Sequence, residues 1–340
     1  MIRRLAAGAA VSVLLLTPVI LASGARAADA PPAAASAAPE DATVAVDSGN
    51  EDQAFLYGSF LRPANKNNYP AVLILPEAGA DRNGNAADQE IKPDTYRELA
   101  QALADKGIAS VRIDKRGVGQ SAKAIRREED LRFDTYVDDA VLWIKFLQAQ
   151  PHVGCVAVYG HSESALVAAL AAKKVKVCAI IEAAGASRPF AAVLAAQLKT
   201  AFQANRFTKE DYDQATRILD QLTAGKPVAD PPKKLEPLFR KSVQPYLISW
   251  LNLNPVEALK TNTPVLILQG SSDFELNSDD PRRLSAAPKN VRVVMVSGAD
   301  HDLKIKTAAA AKGAAADQAR VLSPQVASSI QTFLDSLRWP

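Results

Sequence analysis

Apolar residues along the chain fall into two kinds of run. Short continuous runs at Ala71–Leu75, Ile108–Ile113, Val153–Tyr159, Lys176–Ile181, Val265–Gln269 and Val291–Val296 have the length and composition of strands buried on both faces. Between several of them lie stretches with apolar residues at helical spacing. Tyr96–Lys106 ends at Gly107, a helix C-terminal cap, and Thr135–Ala149 carries Val137, Val141, Ile144 and Leu147 on one face. Val326–Leu337 reads as a closing helix, and Thr43–Val46 and Ala54–Leu61 as an antiparallel hairpin that starts the sheet. Strand–helix alternation of this kind predicts an α/β fold with a mostly parallel central sheet flanked by helices.

The alternation lapses between Ser187 and Leu259. Pro189–Asn205, Asp211–Ala224 and Leu235–Leu251 read as helices, and the Pro-rich stretch Lys226–Pro232 joins the last two. A helical cap at about residues 187–259, lying over the C-terminal edge of the sheet, is expected; ordinary outer helices with a long loop are the alternative. Ala308–Ala319 is Ala-rich, a polar-faced helix or a mobile loop, and is assigned no chemistry.

The N-terminus changes the reading of charge. Residues 1–27 have the form of a secretory signal peptide: Arg3 and Arg4, the apolar Val11–Leu21, and an Ala25-Arg26-Ala27 cleavage site. The apolar run is too short to span a bilayer comfortably, and no Cys stands near the cleavage site to carry a lipid. The expectation is an exported protein, periplasmic or secreted, with no stable membrane anchor after cleavage. The Ala/Pro-rich stretch at residues 28–50 reads as a disordered linker and 51–340 as the catalytic domain. Three of the 40 basic residues lie in the leader, so the remainder balances the 37 acidic ones. No global field then favours nucleic acid or an anionic membrane. Cys155 and Cys178 sit near the starts of two successive strands. Export permits a disulfide, but neighbouring parallel strands demand particular geometry, and two buried free thiols are the simpler reading. No metal is expected, because two Cys lack His at ligand spacing.

The chain is organised around Val153–Ala169. An apolar strand runs into Gly160-His161-Ser162-Glu163-Ser164, and an Ala/Leu-rich helix follows. In this strand–turn–helix context a Gly-x-Ser-x-Gly elbow has physical meaning. The sharp turn presents the serine hydroxyl, and the helix N-terminus favours developing negative charge. Ser164 stands where the second Gly is usual. A Gly-His-Ser turn that only caps a helix is the plainer alternative.

A serine nucleophile needs a base, and the base needs an orienting acid. Of the three His, His161 adjoins Ser162 and is directed away from its hydroxyl, and His152 precedes the strand at the wrong end of the sheet. His301, in Gly298-Ala299-Asp300-His301, follows the last strand at the same edge as Ser162. Asp273, in Gly270-Ser271-Ser272-Asp273, is the first carboxylate beyond Val265–Gln269. Asp300 is a rival, and Glu275, Asp279 and Asp280 lie further out. For the oxyanion hole, one backbone N–H is that of Glu163 and the second comes from the loop after Ala71–Leu75. Pro76 has no N–H, which leaves Glu77 first and Ala78 second.

Five segments, in this order, resemble the α/β-hydrolase superfamily, and more narrowly the bacterial serine aminopeptidase S33-like (hydrolase-4) esterase group. They are Leu73–Asn85, Asp114-Lys115-Arg116-Gly117-Val118-Gly119-Gln120-Ser121, Gly160-His161-Ser162-Glu163, Gln269–Asp273 and Gly298–His301. The resemblance implies an α/β-hydrolase fold, with Ser162, Asp273 and His301 in the nucleophile, acid and base places. Asp114 and Arg116 are read as pins for loops near the site. Two departures stand out: Pro76-Glu77-Ala78 where relatives commonly have Gly-Ser-Gly, and Ser164 for Gly. The expected activity is cleavage of carboxylic esters through an acyl-enzyme on Ser162, without cofactor, on a small-molecule acyl substrate. A peptidase or thioesterase of the same fold, and a non-catalytic binding protein on a hydrolase scaffold, are the alternatives. For an aminopeptidase, Glu163 or Glu182 would have to hold the substrate amine. The Gly-containing Asp81–Asn85 loop lacks the Gly-Lys-Ser/Thr of a phosphate-binding loop.

Overall fold

The computed structural model describes residues 40–49, 54–64, 68–86, 92–276, 278–306 and 320–338. The leader, most of the linker and the Ala-rich segment lie outside these residues. Eight strands form one sheet in the order β1-β2-β4-β3-β5-β6-β7-β8. They are β1 (Glu40–Asp47), β2 (Phe55–Arg62), β3 (Tyr69–Leu75), β4 (Ala109–Ile113), β5 (Val153–His161), β6 (Ala179–Ala183), β7 (Val265–Gly270) and β8 (Val291–Val296). β2 runs antiparallel to both β1 and β4, and the other neighbours pair in parallel. The expected hairpin is longer than its apolar residues indicated. β1 pairs with β2 over its whole length, so ladder hydrogen bonds carry the strand into part of the stretch read as linker.

The strands β3, β4, β6 and β7 are buried throughout, their few polar residues Ser110, Arg112, Glu182 and Gln269 included, as a sheet covered on both faces requires. α2 (Phe133–Gln148) and α3 (Glu163–Lys174) cover one face, and α1 (Thr95–Ala104) the other, where Val326, Ile330 and Leu334 of the closing helix Pro324–Asp335 also pack. After β3 the chain turns to one side of the sheet to make β4, then returns to the other side of β3 to make β5. The loops leaving β3 and β5 therefore diverge, and a crevice opens at the C-terminal ends of these neighbours, where ligands of open α/β sheets bind.

Between β6 and β7 the expected helices are present, α4 (Phe190–Gln203) and α5 (Lys209–Thr223), the latter capped by Thr208. The expected third helix is broken into α6 (Glu236–Phe239) and α7 (Gln244–Trp250), followed by α8 (Pro255–Ala258). Arg240 between them is extended, and Pro237 and Pro245 each stand in the first turn of their helix, the position a residue without an N–H tolerates. A two-stranded sheet follows His301: β9 (Lys304–Lys306) pairs antiparallel with β10 (Arg320–Leu322), which the periodicity did not indicate.

The two cysteines are not free. Cys155 and Cys178 form a disulfide with Cα atoms 5.8 Å apart, across the parallel pair β5–β6. Cys178 lies just before β6, where its N–H donates to the Val156 carbonyl, and this offset gives the separation a bridge requires.

Candidate active site

Ser162 stands between β5 and α3 with φ 56° and ψ −118°, a strained conformation for a residue with a side chain. Its N–H donates to the Ala183 carbonyl of β6, and its carbonyl accepts from Ala165 in the first turn of α3. The turn is so tight that a Cβ at Gly160 would lie 2.0 Å from the Ser164 carbonyl oxygen. Glycine is therefore required two residues before the serine. Ser164 is accommodated because its hydroxyl has a partner: it donates to the Pro76 carbonyl at 2.5 Å. The residue that departs from the usual motif thus ties α3 to the loop leaving β3.

His301 and Asp273 come together. His301 Nδ1 lies 2.8 Å from Asp273 Oδ2, which also accepts from Gln269 Nε2 at 2.7 Å. The other carboxylate oxygen accepts the backbone N–H groups of Glu275 and Leu276. Burial raises the Asp273 pKa, but the hydrogen bond and charge of His301 outweigh it and hold the carboxyl below its ordinary value. For His301, burial alone would lower the pKa. The Asp273 hydrogen bond and charge, with smaller contributions from Glu275 and Glu77, push it up to about 9. The loop carrying His301 crosses directly over the end of β7. A Cβ at Gly270 would lie 2.3 Å from the Asp300 carbonyl oxygen, so that crossing depends on glycine. Ser162 Oγ is half-buried and makes no hydrogen bond among the described residues. Catalytic hydrogen bonds are often long before substrate arrives.

The rival acids are engaged elsewhere. Asp300 pairs with Arg320 at 2.6 Å and accepts the Lys304 N–H. Asp280 is fully buried and accepts from both the N–H and the hydroxyl of Ser187. Glu275 is exposed. His152 lies at the opposite edge, where its carbonyl accepts the Tyr69 N–H.

The oxyanion reading needs correction at one atom. The N–H of Glu77, the first choice, donates to Tyr96 Oη at 2.8 Å, because α1 brings that phenol under the β3 loop. The Ala78 N–H makes no hydrogen bond among the described residues, and neither does that of Glu163 at the start of α3.

Asp114 and Arg116 act as the expected pins. Asp114 accepts the N–H groups of Arg82 and Gln120 and pairs with the Arg82 guanidinium, while Arg116 makes a two-pronged bond to Asp139 at 3.0 and 2.6 Å. Lys115 between them was not singled out in the sequence. Its ammonium bonds Glu163 at 2.5 Å with both side chains nearly buried, and lies over the Tyr136 ring. Only the Asp-Lys-Arg-Gly turn, placing consecutive charges at a strand end, signalled it.

Glu182 on β6 is buried, and its carboxyl makes no hydrogen bond or ion pair among the described residues. Burial pushes its pKa from 4.5 up to about 8. It rests against Gly185, where a Cβ would lie 2.3 Å from its Oε2. Glu77, His161 and Asp302 bring one potential metal-ligand atom each within 4.8 Å of one another. Both nitrogens of His161 already have partners, Tyr96 Oη and the His301 carbonyl, so an ion there would have to displace one of them.

The sheet order, the elbow serine and the loops converging at the β3–β5 crevice define an α/β-hydrolase. Residues 93–306 match the model of the Hydrolase_4 family, described as serine aminopeptidase, S33, and the chain belongs to that family. Among solved structures, it is similar to the esterase Pf2001 of Pyrococcus furiosus, with TM-score 0.54 and 16% identity over 88% of this chain and 92% of that one. It is also similar to Est1E of Butyrivibrio proteoclasticus, solved with ferulic acid bound, with TM-score 0.54 and 14% identity over 86% of this chain and 98% of that one. At these identities the likeness is one of fold. No curated protein matches the chain. Among the described residues no helix is long and apolar enough to cross a membrane.

Proposed function

We propose that the protein is a serine hydrolase that cleaves carboxylic esters through an acyl-enzyme on Ser162. The observation that carries the reading is the Asp273–His301 hydrogen bond, formed at the edge of the sheet where Ser162 occupies its strained elbow. Ser162 Oγ attacks the acyl carbonyl carbon, and its proton passes to His301 Nε2. Asp273 holds the Nδ1–H tautomer and stabilises the imidazolium. The N–H groups of Glu163 and Ala78 receive the oxyanion, at the N-terminus of α3 where its dipole favours negative charge. The leaving alkoxide takes the proton from His301, and water activated by the same imidazole then releases the acid.

Ester cleavage is favoured over aminopeptidase action by the state of Glu163. A carboxylate that captures a substrate amine must be open to it, whereas Glu163 is committed to Lys115 in a nearly buried pair. The Cys155–Cys178 disulfide supports export to an oxidising compartment. Purified enzyme should hydrolyse p-nitrophenyl acetate, and Ser162→Ala should lower the rate by about 10⁶-fold. Turnover unchanged in that variant would overturn the proposal. Faster cleavage of aminoacyl-p-nitroanilides than of esters would favour the peptidase.

A further inference from the structure

His161 has no part in the chemistry above, yet its imidazole sits where the two loops that build the site meet. Its Nε2 lies 2.9 Å from the carbonyl oxygen of His301, and its Nδ1 lies 2.8 Å from Tyr96 Oη. Tyr96 Oη in turn accepts the N–H of Glu77 at 2.8 Å. The two ends fix the polarity of this chain. A backbone N–H can only donate, so at Glu77 the phenol oxygen accepts. A carbonyl can only accept, so Nε2 must carry a hydrogen. With the imidazole neutral, Nδ1 keeps its lone pair and takes the phenol's one proton. Burial and the Glu77 charge keep the Tyr96 pKa well above its ordinary value of 10, so it remains a donor. His161 is 1% exposed, and its ring lies 5.2 Å from that of His301 and 5.8 Å from that of Tyr96, centroid to centroid.

We propose that His161 and Tyr96 are positioning residues that couple the backbone of His301 to the loop bearing the Ala78 N–H. The inference rests on the reading of His301 as the base of the Ser162 reaction. The base must stand at a fixed distance from the hydroxyl, and the oxyanion donors at a fixed distance from the acyl oxygen. These two requirements fall on loops that leave different strands, β3 and β8. A buried hydrogen-bonded chain with every donor matched is stiff, because breaking one link leaves an unsatisfied polar group in the interior. On its other side the β3 loop is held by Ser164 Oγ on the Pro76 carbonyl. With Pro76 and Glu77 both fixed, the next amide in the chain, Ala78, is the one left to face the oxyanion.

The test separates the two ring nitrogens. A Gln side chain places its amide nitrogen the same number of bonds from Cβ as imidazole Nε2, so His161→Gln keeps a donor for the His301 carbonyl. An Asn side chain reaches only as far as Nδ1, so His161→Asn loses it. His161→Asn is expected to lower kcat for p-nitrophenyl acetate by about 10²-fold, the scale of an ångström misplacement, with KM within about twofold. His161→Gln should recover most of that loss. Tyr96→Phe, which keeps the ring and removes one hydroxyl, should lower kcat about tenfold and remain folded if the other two are not. A second readout does not need turnover: the far-downfield proton resonance of His301 Nδ1–H should be sharp in the parent and in His161→Gln, and broadened in His161→Asn. Failure of the parent protein to react with a fluorophosphonate would sink the hydrolase reading alone, and the resonance would still report on positioning. A folded His161→Asn with parental kcat and a sharp resonance would overturn the inference, as would equal losses in the Asn and Gln variants.

Discussion

Two regions approach Ser162 from opposite sides and are organised by different means. On the side of β5, β7 and β8, each proposed participant is a side chain whose chemistry is its own: a hydroxyl, an imidazole and a carboxylate. The structure sets these at strand ends by local devices, a glycine where backbones cross and a hydrogen bond between neighbours. On the side of β3, the groups proposed to act are backbone N–H donors, and which of them is available depends on residues far along the chain. Tyr96 claims the Glu77 N–H, and Ser164 claims the Pro76 carbonyl. A side-chain role is carried by residue identity, whereas a backbone role is settled by what else reaches the same loop.

The largest expected effect falls on the side-chain region. Asp273→Asn should lower kcat by about 10⁴-fold, because the imidazole would adopt the wrong tautomer. The same pair sets the pH profile. In the proposed reaction His301 must be neutral to accept the Ser162 proton, and its pKa is pushed up to about 9, so kcat/KM of the parent should rise with pH until His301 deprotonates. The inflection should lie well above 6.5, and an inflection at or below 6.5 would show that Asp273 does not stabilise the imidazolium.

Glu182 lies in the same region but carries a titratable group that neither half uses. In the folded protein it holds its proton to about pH 8, while in the unfolded chain it ionises near 4.5. The unfolded state therefore binds fewer protons between these values, and stability present below pH 4.5 is lost progressively as pH rises to about 8. Glu182→Gln should remove that loss, stabilising the protein at pH 8 by on the order of 4 kcal/mol in urea unfolding, with little change at pH 4. Parallel behaviour of the two proteins across this range would contradict the burial account.

The disulfide closes a segment that contains the whole elbow and α3. Replacing both Cys155 and Cys178 with Ala should cost about 3 kcal/mol of stability by the chain-entropy estimate, with activity retained at temperatures where the variant stays folded. The smallest effect is expected on the backbone region. Ser164→Ala removes one hydrogen bond to the Pro76 carbonyl and should cost about 1 kcal/mol in stability and up to about tenfold in kcat. A larger loss in kcat than Asp273→Asn causes would reverse the ranking of the two regions.

Much of the fold was legible because the strands are apolar runs of the right length separated by capped helices. β8 was read at its observed limits, and the other parallel strands within a few residues. The third helix between β6 and β7 reads as continuous because the apolar spacing of Leu235–Leu251 runs through Arg240, where the chain extends before a new helix begins at Gln244. The disulfide stayed open because strand spacing does not reveal that Cys178 precedes β6 by one residue. His161 is set aside in the sequence because adjacency to Ser162 directs it away from that hydroxyl. What it turns toward, a tyrosine 65 positions earlier and a carbonyl 140 positions later, has no mark in the local pattern. The Lys115–Glu163 pair was hidden in the same way, since its partners lie 48 positions apart.

The most direct test of the account is the intact mass of the protein after reaction with a fluorophosphonate, followed by peptide mapping. One adduct per chain is expected, on Ser162, formed rapidly by the parent, slowly by Asp273→Asn and not at all by Ser162→Ala. A parent protein that stays unmodified, or an adduct that persists when Ser162 is replaced, would contradict it.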